Sequence, residues 1–262
     1  MFVIAGSDSG GGAGIQGDIK TVTALGGYAA AAITAVTAQN TKGVFGIHEV
    51  PEDFIAHQIQ LVLDDIGADA IKTGMLSKAS VIEIVADALK AHPNIPLVLD
   101  PVMVAKGGAT LLQPDALDAL KKRLIPRARI ITPNIPEAEL LTGMKIENEA
   151  DMQSAGEELL KMGAHAVLMK GGHLQVHSEK ITDILVEQHG QAVFTSTRIK
   201  SRNTHGTGCT LASAIAVSLA QGMEMEDSVR RARLYVQESI RRAPDLGEGH
   251  GPLGHAQPVK KN

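Results

Sequence analysis

The chain has 262 residues, 44% of them apolar, enough for a sizeable buried core; this excludes a disordered chain and a disulfide-held miniprotein. Lys plus Arg number 25 against 29 Asp plus Glu, a net charge of −4, and aromatics are 2% with no Trp, so the basic footprint and stacking platforms of a nucleic-acid binder are missing. A lone cysteine makes no intramolecular disulfide, and neither a leader pattern nor an apolar run of about 18 residues is found, so the expectation is a cytoplasmic chain without a membrane span.

Residues 2–5 open the chain as an apolar strand, followed by a Gly-rich loop and a helix over 14–25 that should end at Gly26-Gly27. An Ala-rich strand is predicted at 29–37, a helix at 52–65, a strand at 70–73, and a helix at 78–91 with Ser77 as its N-cap. A strand at 97–100 precedes a helix at 115–124 that starts at Pro114-Asp115. Then come a strand at 130–132, helices at 137–141 and 151–162, the second closed by Gly163, and a strand at 166–170. The runs 181–187 and 192–199 flank His189-Gly190 and read as an antiparallel edge hairpin. Helices over 206–221 and 225–242 follow, and the tail from 247 to 262, rich in Gly, His and Pro, reads as irregular. Alternating strands and helices indicate an α/β protein with a largely parallel sheet. Unbroken apolar runs such as Leu97-Val98-Leu99 suit strands covered by helices on both faces. With no repeat of about 20–50 residues, no linker and no charge block, one domain over residues 1–262 is expected.

Ligands of such sheets sit beyond the carboxyl ends of the strands, and here those ends are polar or Gly-rich. They are Gly6 to Gly14, Gln39-Asn40-Thr41, Lys72-Thr73-Gly74-Met75, Asp100-Pro101-Val102-Met103, Thr132 to Glu137, and Lys170-Gly171-Gly172-His173. The first loop is not a P-loop, because no Lys-Ser/Thr follows its glycines, and Gly10-x-Gly12-x-Gly14 is not the dinucleotide spacing. It reads as a tight turn near a small ligand, with Asp18 one helical turn further on.

The sharpest motif is Asn203-Thr204-His205-Gly206-Thr207-Gly208-Cys209 ahead of an apolar helix. Glycines before a helix let backbone N–H groups point at an anion, including developing phosphoryl charge; an ordinary Gly-rich turn is the plainer alternative. Cys209 would lie in the first turn, where a helix N-terminus lowers a thiol from ~8.5 towards ~7 and leaves about half of it ionised at pH 7. Its alternative is a buried, inert thiol. Asp100 and Glu137 can organise Mg²⁺ through waters, or serve as a strand-end cap and a helix N-terminal carboxylate. Lys170 is a phosphate ligand or a solvated lysine. The ten His show no zinc spacing, His205 is expected as a turn residue with contact to substrate as its alternative, and the nine Met as core filler.

Taken together, Ile4 to Gln16 with Asp18, Ala38 to Thr41, Lys72 to Leu76, Leu99 to Met103, Thr132 to Ala138, Met169 to His173 and Asn203 to Cys209 resemble the ribokinase-like superfamily. Within it they are most similar to the hydroxymethylpyrimidine/phosphomethylpyrimidine kinases of thiamin biosynthesis. That resemblance implies a three-layer sandwich: a mostly parallel central sheet with helices on both faces and an antiparallel edge hairpin. It implies ATP and Mg²⁺ as cofactors, a homodimer, and two successive phosphorylations of 4-amino-5-hydroxymethyl-2-methylpyrimidine. The pyrimidine would sit among Gly6, Asp18, Gln39, Met75 and Val102. The nucleotide phosphates would lie near Lys170, Glu137 and Thr207, and Mg²⁺ near Asp100 and Glu137. Gly206, Thr207 and Gly208 would form the anion hole, and Cys209 would stand where many relatives carry a catalytic Asp.

The Gln39 amide offers acceptor and donor side by side, matching an amino group and the adjacent ring nitrogen as Gln matches adenine. Relatives active on pyridoxal often carry a Cys before the lid Lys; Ala105 before Lys106 weighs against a pyridoxal kinase. Gly17 loosens the first helical turn before Asp18, and the length is expected to leave no room for the fused thiamin-phosphate synthase of some relatives. A non-catalytic sensor of vitamin precursors remains a further reading, against which stands the joint presence of Cys209, Lys170, Asp100 and Glu137. A dinucleotide-dependent oxidoreductase lacks its fingerprint.

Overall fold

A computed structural model of the chain describes residues 1–103, 111–113, 115–174 and 178–256. Pro114 and the Ala105-Lys106 pair lie outside the described residues. The first strand, β1 (Phe2–Ala5), is wholly buried, because its side chains feed two different cores. Phe2 and Ile4 point to one face of the sheet, Val3 and Ala5 to the other, as the two-residue period of a strand requires. Then follow α1 (Gly14–Ala24), β2 (Ala30–Ile33), β3 (Ala35–Asn40), β4 (Gly43–Glu49), α2 (Glu52–Asp65), β5 (Ile71–Thr73), α3 (Ala79–Leu89) and β6 (Leu97–Leu99). A short α4 (Ala116–Ala119) widens into a π turn at Leu120–Leu124 and tightens into a 3-10 turn at Ile125–Arg127, where Pro126 has no N–H to continue a helix.

The second half holds β7 (Ile130–Ile131), α5 (Ile135–Thr142), α6 (Glu149–Lys161), β8 (Ala166–Lys170), β9 (Lys180–Glu187), β10 (Gly190–Thr197), α7 (Thr207–Ala220) and α8 (Met225–Arg241). Eight strands form the main sheet in the order β10-β9-β8-β7-β6-β5-β1-β2. The run from β2 to β8 is parallel, and β9 and β10 turn antiparallel at the edge, as the hairpin pattern predicts. Helices α2 to α6 cover one face and α1, α7 and α8 the other. No helix among the described residues is long and apolar enough to cross a membrane.

Three local expectations are corrected. The single strand predicted at 29–37 is two strands, broken at Thr34. Thr34 donates its backbone N–H to Ala5 and its hydroxyl to the Met75 carbonyl, which ends the pairing with β1. β3 then leaves the main sheet and pairs with β4, a strand absent from the sequence reading. Ser77 does not cap α3: it sits at φ 61°, and Lys78 takes the N-cap position without a side-chain bond. Helix α5 starts two residues earlier than expected, at Ile135, because Asn134 and Glu137 close a capping box there. The glycine stops are as expected, with Gly26 at φ 82° and Gly163 at φ 107°.

The tail runs back to the carboxyl edge of the sheet. Gly251 accepts the His205 N–H, and the Tyr235 hydroxyl donates to the His255 carbonyl. The His255 ring nitrogen meets the Thr210 hydroxyl at 2.9 Å.

Candidate active site

The carboxyl ends of β1, β5, β6 and β8 surround a cavity of about 640 Å³. Gly6, Gln39, Met75 and Val102 line one part of it, and Cys209, Gly206, Thr207 and Gly208 another. Asp100, Glu137 and Lys170 line the first cavity too, and Lys170 also lines a second cavity of about 530 Å³ on the side of the β9–β10 hairpin, which reaches Asp183, Ser196, Arg198 and Arg233. Asn134, Lys170, His173, Thr204, Thr207 and Gly208 line both.

Helix α7 begins at Thr207 with Gly206 as N-cap at φ 83°, and no side chain caps it. A Cβ at position 206 would collide with the Gly12 carbonyl, so the first Gly-rich loop and this turn are packed backbone to backbone. The Thr207 N–H turns back to the Thr204 carbonyl at 3.4 Å, and no side chain of the helix caps the N–H groups of Gly208 and Cys209, two residues of the cavity lining. Opposite them, a Cβ at position 208 would lie 3.5 Å from Lys170 Nζ and 3.8 Å from Asp100 Oδ2. Lys170 Nζ is 3.2 Å from Asp100 Oδ1 and 3.9 Å from Glu137 Oε2, and Thr132 donates to Asp100 at 3.1 Å. Burial, reinforced by Asp100 and opposed by Lys170, pushes the Glu137 carboxyl up to about 7. Glu137 stands beside Lys170 and is also the N3 member of the α5 capping box, where its Oε2 accepts the Asn134 N–H at 2.8 Å.

Two sequence expectations are corrected here. Asp18 does not face the cavity. It is fully buried in a pair with Lys72, Nζ lying 2.9 and 3.0 Å from its two oxygens, and it accepts the Ser213 hydroxyl at 2.7 Å. Burial raises the Asp18 carboxyl and works against the Lys72 charge. Contact with both oxygens decides the outcome: the ammonium is held above the ordinary lysine range, by Asp18 first and then by Cys209 and Asp100, and the pair is ionised. Lys72, not Asp18, lines the cavity.

The second correction concerns Cys209. Its place at a helix N-terminus predicted a lowered thiol pKa; burial, with Asp18 and Asp100, instead pushes the thiol up to about 11, against the opposing pull of Lys72 and the Gly14 N–H. Half a helix charge is outweighed by desolvation and two carboxylates.

The sequence offered Asp8 only as part of the first loop, and His205 first as a turn residue and second as a substrate contact. Both line the cavity, with His205 Nε2 2.7 Å from Asp8 Oδ2. The Gln39 amide lies 3.3 Å from both His205 Nε2 and Thr37 Oγ1. An Asp followed by glycines is a local signal for a carboxylate that collects backbone N–H groups. Nothing local ties position 8 to position 205.

A family model described as phosphomethylpyrimidine kinase matches residues 8–254. The chain is 52% identical over 255 residues to a thiamine biosynthesis bifunctional protein of Geobacter sulfurreducens, covering 97% of this chain and 52% of that protein, about half its length. It is 47% identical over 254 residues to a hydroxymethylpyrimidine/phosphomethylpyrimidine kinase of Bacillus subtilis, covering 97% of this chain and 93% of that one. Among solved structures, a phosphomethylpyrimidine kinase of Clostridium difficile is similar with a TM-score of 0.81 and 47% identity over 91% of this chain and 98% of that one. An ADP complex of Bacillus subtilis pyridoxal kinase gives a TM-score of 0.89 at 36% identity, covering 97% of this chain and 96% of that one. The layered sheet and these neighbours agree on the ribokinase-like fold. A family model across most of the sequence, joined by relatives of nearly its own length that carry one kind of kinase in their names, places the chain in the hydroxymethylpyrimidine/phosphomethylpyrimidine kinase family, as a kinase of thiamine biosynthesis.

Proposed function

We propose that the chain transfers the γ-phosphoryl group of ATP to the hydroxymethyl oxygen of 4-amino-5-hydroxymethyl-2-methylpyrimidine, then a second one to the resulting monophosphate. Two cavities that meet at Lys170, Thr207 and Gly208 carry this reading. The acceptor takes the first, its ring against Gly6, Met75 and Val102 and its amino edge on Gln39. The nucleotide takes the second, with phosphates at Lys170 and at the α7 start beside Thr207 and Gly208, where a helix start favours an anion. Asp100 and Glu137 are hard oxygen donors converging on the Lys170 ammonium. Mg²⁺ on phosphates needs only one or two carboxylates besides water, so the two residues fit the ion, which when bound would neutralise phosphate charge.

In the first step the acceptor oxygen bonds to the γ-phosphorus as the bond to the bridging oxygen breaks and ADP leaves. The hydroxyl proton passes to the Cys209 sulfur. A thiol pushed up to about 11 is protonated at rest, so the base is a small thiolate fraction, steadied by the Lys72 charge. In the second step the acceptor is a phosphate, largely ionised near pH 7 because its second pKa is ~6, and needs no base. Phosphoryl transfer is loose, so positioning and charge stabilisation supply most of the rate.

Pyridoxal as acceptor is the second reading, favoured by the backbone likeness to a pyridoxal kinase. Product analysis with MgATP decides. Successive mono- and diphosphate from the pyrimidine, with little turnover of pyridoxal in a parallel tube, is the expected result. Monophosphate alone would remove the second step from this protein, and turnover of pyridoxal alone would replace the substrate.

The proposal extends to one catalytic domain over residues 1–262, a cytoplasmic setting, and a homodimer, on the family resemblance and the lone cysteine. Val36, Phe45 and Ile47 are exposed apolar side chains of the β3–β4 pair, a surface that a second copy would cover. Sedimentation at about twice the 27.5 kDa chain mass is expected, and a monomer at working concentration would remove the dimer.

A further inference from the structure

The β3–β4 pair stands outside the main sheet, so no ladder bond to that sheet fixes the turn at its far end. The Ser9 hydroxyl meets the Gln39 backbone on one flank, and the tail of the chain holds the turn itself. On one side of the tail, the His250 N–H donates to the Thr41 carbonyl at 2.8 Å and the Gly249 N–H to the Thr41 hydroxyl at 3.2 Å. On the other, the Gly251 carbonyl accepts the His205 N–H at 3.1 Å, and Pro252 forms a parallel bridge with His205. Thr41 lies two residues beyond Gln39, and His205 immediately precedes the N-cap of α7. The tail thus joins two loops that supply residues to the first cavity, and His250 lines that cavity as well.

Both contacts are close approaches that leave no room for a side chain. A Cβ at position 249 would collide with the Thr41 carbonyl, and one at position 251 with the Asn203 side chain. Beyond them the tail is anchored in the helix layer. The Gly254 N–H donates to the Ser239 carbonyl at 2.9 Å, and Leu253 and His255 are buried. With the Tyr235 and Thr210 hydroxyls on His255, these bonds fix the far end of the tail to α7 and α8. The second cavity is lined by other segments, chiefly β9, β10 and the two last helices.

We infer that residues 247–255 form a strap across the acceptor side of the site, and that Thr41, Gly249 and His250 are positioning residues that hold the β3–β4 turn, and Gln39 with it, in place before the acceptor binds. The gain is pre-organisation. A turn already tied down gives up little freedom when a ligand binds against it, whereas a loose turn must be ordered at each binding event and affinity falls by that cost. The nucleotide is held at Lys170 and the start of α7, away from the Thr41 contacts, so its affinity is spared when the strap leaves the turn. The inference rests on the reading of the first cavity as the acceptor's.

The test measures KM for the aminopyrimidine and for ATP in the first phosphorylation, in the wild type, Gly249→Ala, Thr41→Val and Thr41→Ser. Gly249→Ala pushes the strap off the turn and should raise KM for the pyrimidine about tenfold while KM for ATP stays within about twofold. Thr41→Val removes one hydrogen bond to the strap and should raise KM for the pyrimidine about threefold. Thr41→Ser keeps the hydroxyl and should stay within about twofold of the wild type. A role confined to stability would lower the active fraction, and with it kcat, and leave both KM values where they are; that result overturns the inference. So does a KM for ATP that rises as far as that for the pyrimidine. If Gly249→Ala does not fold, the Thr41 pair decides. No turnover of the aminopyrimidine by the wild type overturns the kinase reading and the strap's role with it. An active wild type whose KM for the pyrimidine is unchanged in both Gly249→Ala and Thr41→Val overturns the strap alone.

Discussion

Cys209→Ala lowers the first phosphorylation by about 10²–10⁴-fold, the usual contribution of a positioned acid or base, and leaves the second within a few-fold. The asymmetry comes from the acceptors. An alcohol must lose a proton as the phosphorus–oxygen bond forms, whereas a phosphate with a second pKa of ~6 is mostly deprotonated already. The pH profile carries the sign. The thiol is pushed up to about 11, so the thiolate fraction in the free enzyme rises about tenfold per pH unit throughout the range below that value. The Glu137 carboxyl, pushed up to about 7, titrates in both proteins, so the sign is read above it: first-step kcat/KM of the wild type should keep climbing from pH 8 to pH 9, and that of Cys209→Ala should level off there. Single-turnover measurements on the alcohol and on the monophosphate, made separately, check both statements. Equal losses in the two steps would reduce Cys209 to a packing residue. A wild type that levels off above pH 8 just as Cys209→Ala does would mean that the thiol is not the group that takes the proton.

Lys72→Met should cost about 3–5 kcal/mol of stability, the range for removing one partner of a buried ion pair. Asp18 would be left fully buried with the Ser213 hydroxyl as its remaining side-chain partner. For a chain of this length that is a fall in Tm on the order of 10 °C. The double variant Lys72→Met with Asp18→Asn removes both charges and should recover most of the loss, since a neutral buried pair carries no uncompensated charge. It should not recover the first phosphorylation, because Lys72 is the cation that favours ionised Cys209. Thermal unfolding of the three proteins, with first-step rates at fixed pH, separates the two effects. A double variant as unstable as the single one would mean that packing, not charge, is lost. A single variant within about 1 kcal/mol of the wild type would show the pair to be expendable.

The pair also explains why Asp18 cannot contact a pyrimidine directly. Its influence on the site passes through the Lys72 ammonium, which lines the cavity together with Cys209 and Asp100. A residue assigned to the ligand by its place in a motif thus belongs one layer beneath it.

The sequence by itself determined the sheet and the edge of it that carries the chemistry. Unbroken apolar runs at β1, β6 and β8 could only be strands covered on both faces, and their polar ends had to gather along one rim. Thr207, Gly208, Cys209, Lys170, Asp100 and Glu137 were legible for that reason, since each sits at the end of an element whose type the local pattern decides. The tertiary structure decided what depends on distant partners. The break at Thr34 follows from bonds to Ala5 and Met75, and the β3–β4 pair has outward apolar residues that no alternation in one strand reveals. Asp18 meets Lys72 54 positions on, and Asp8 meets His205 197 positions on. The helix start at Cys209 is a local fact, but its thiol answers to burial and to carboxylates brought in by α1 and β6. Electrostatic energy depends on separation in space and on exclusion of water, and the order of residues along a chain encodes neither directly.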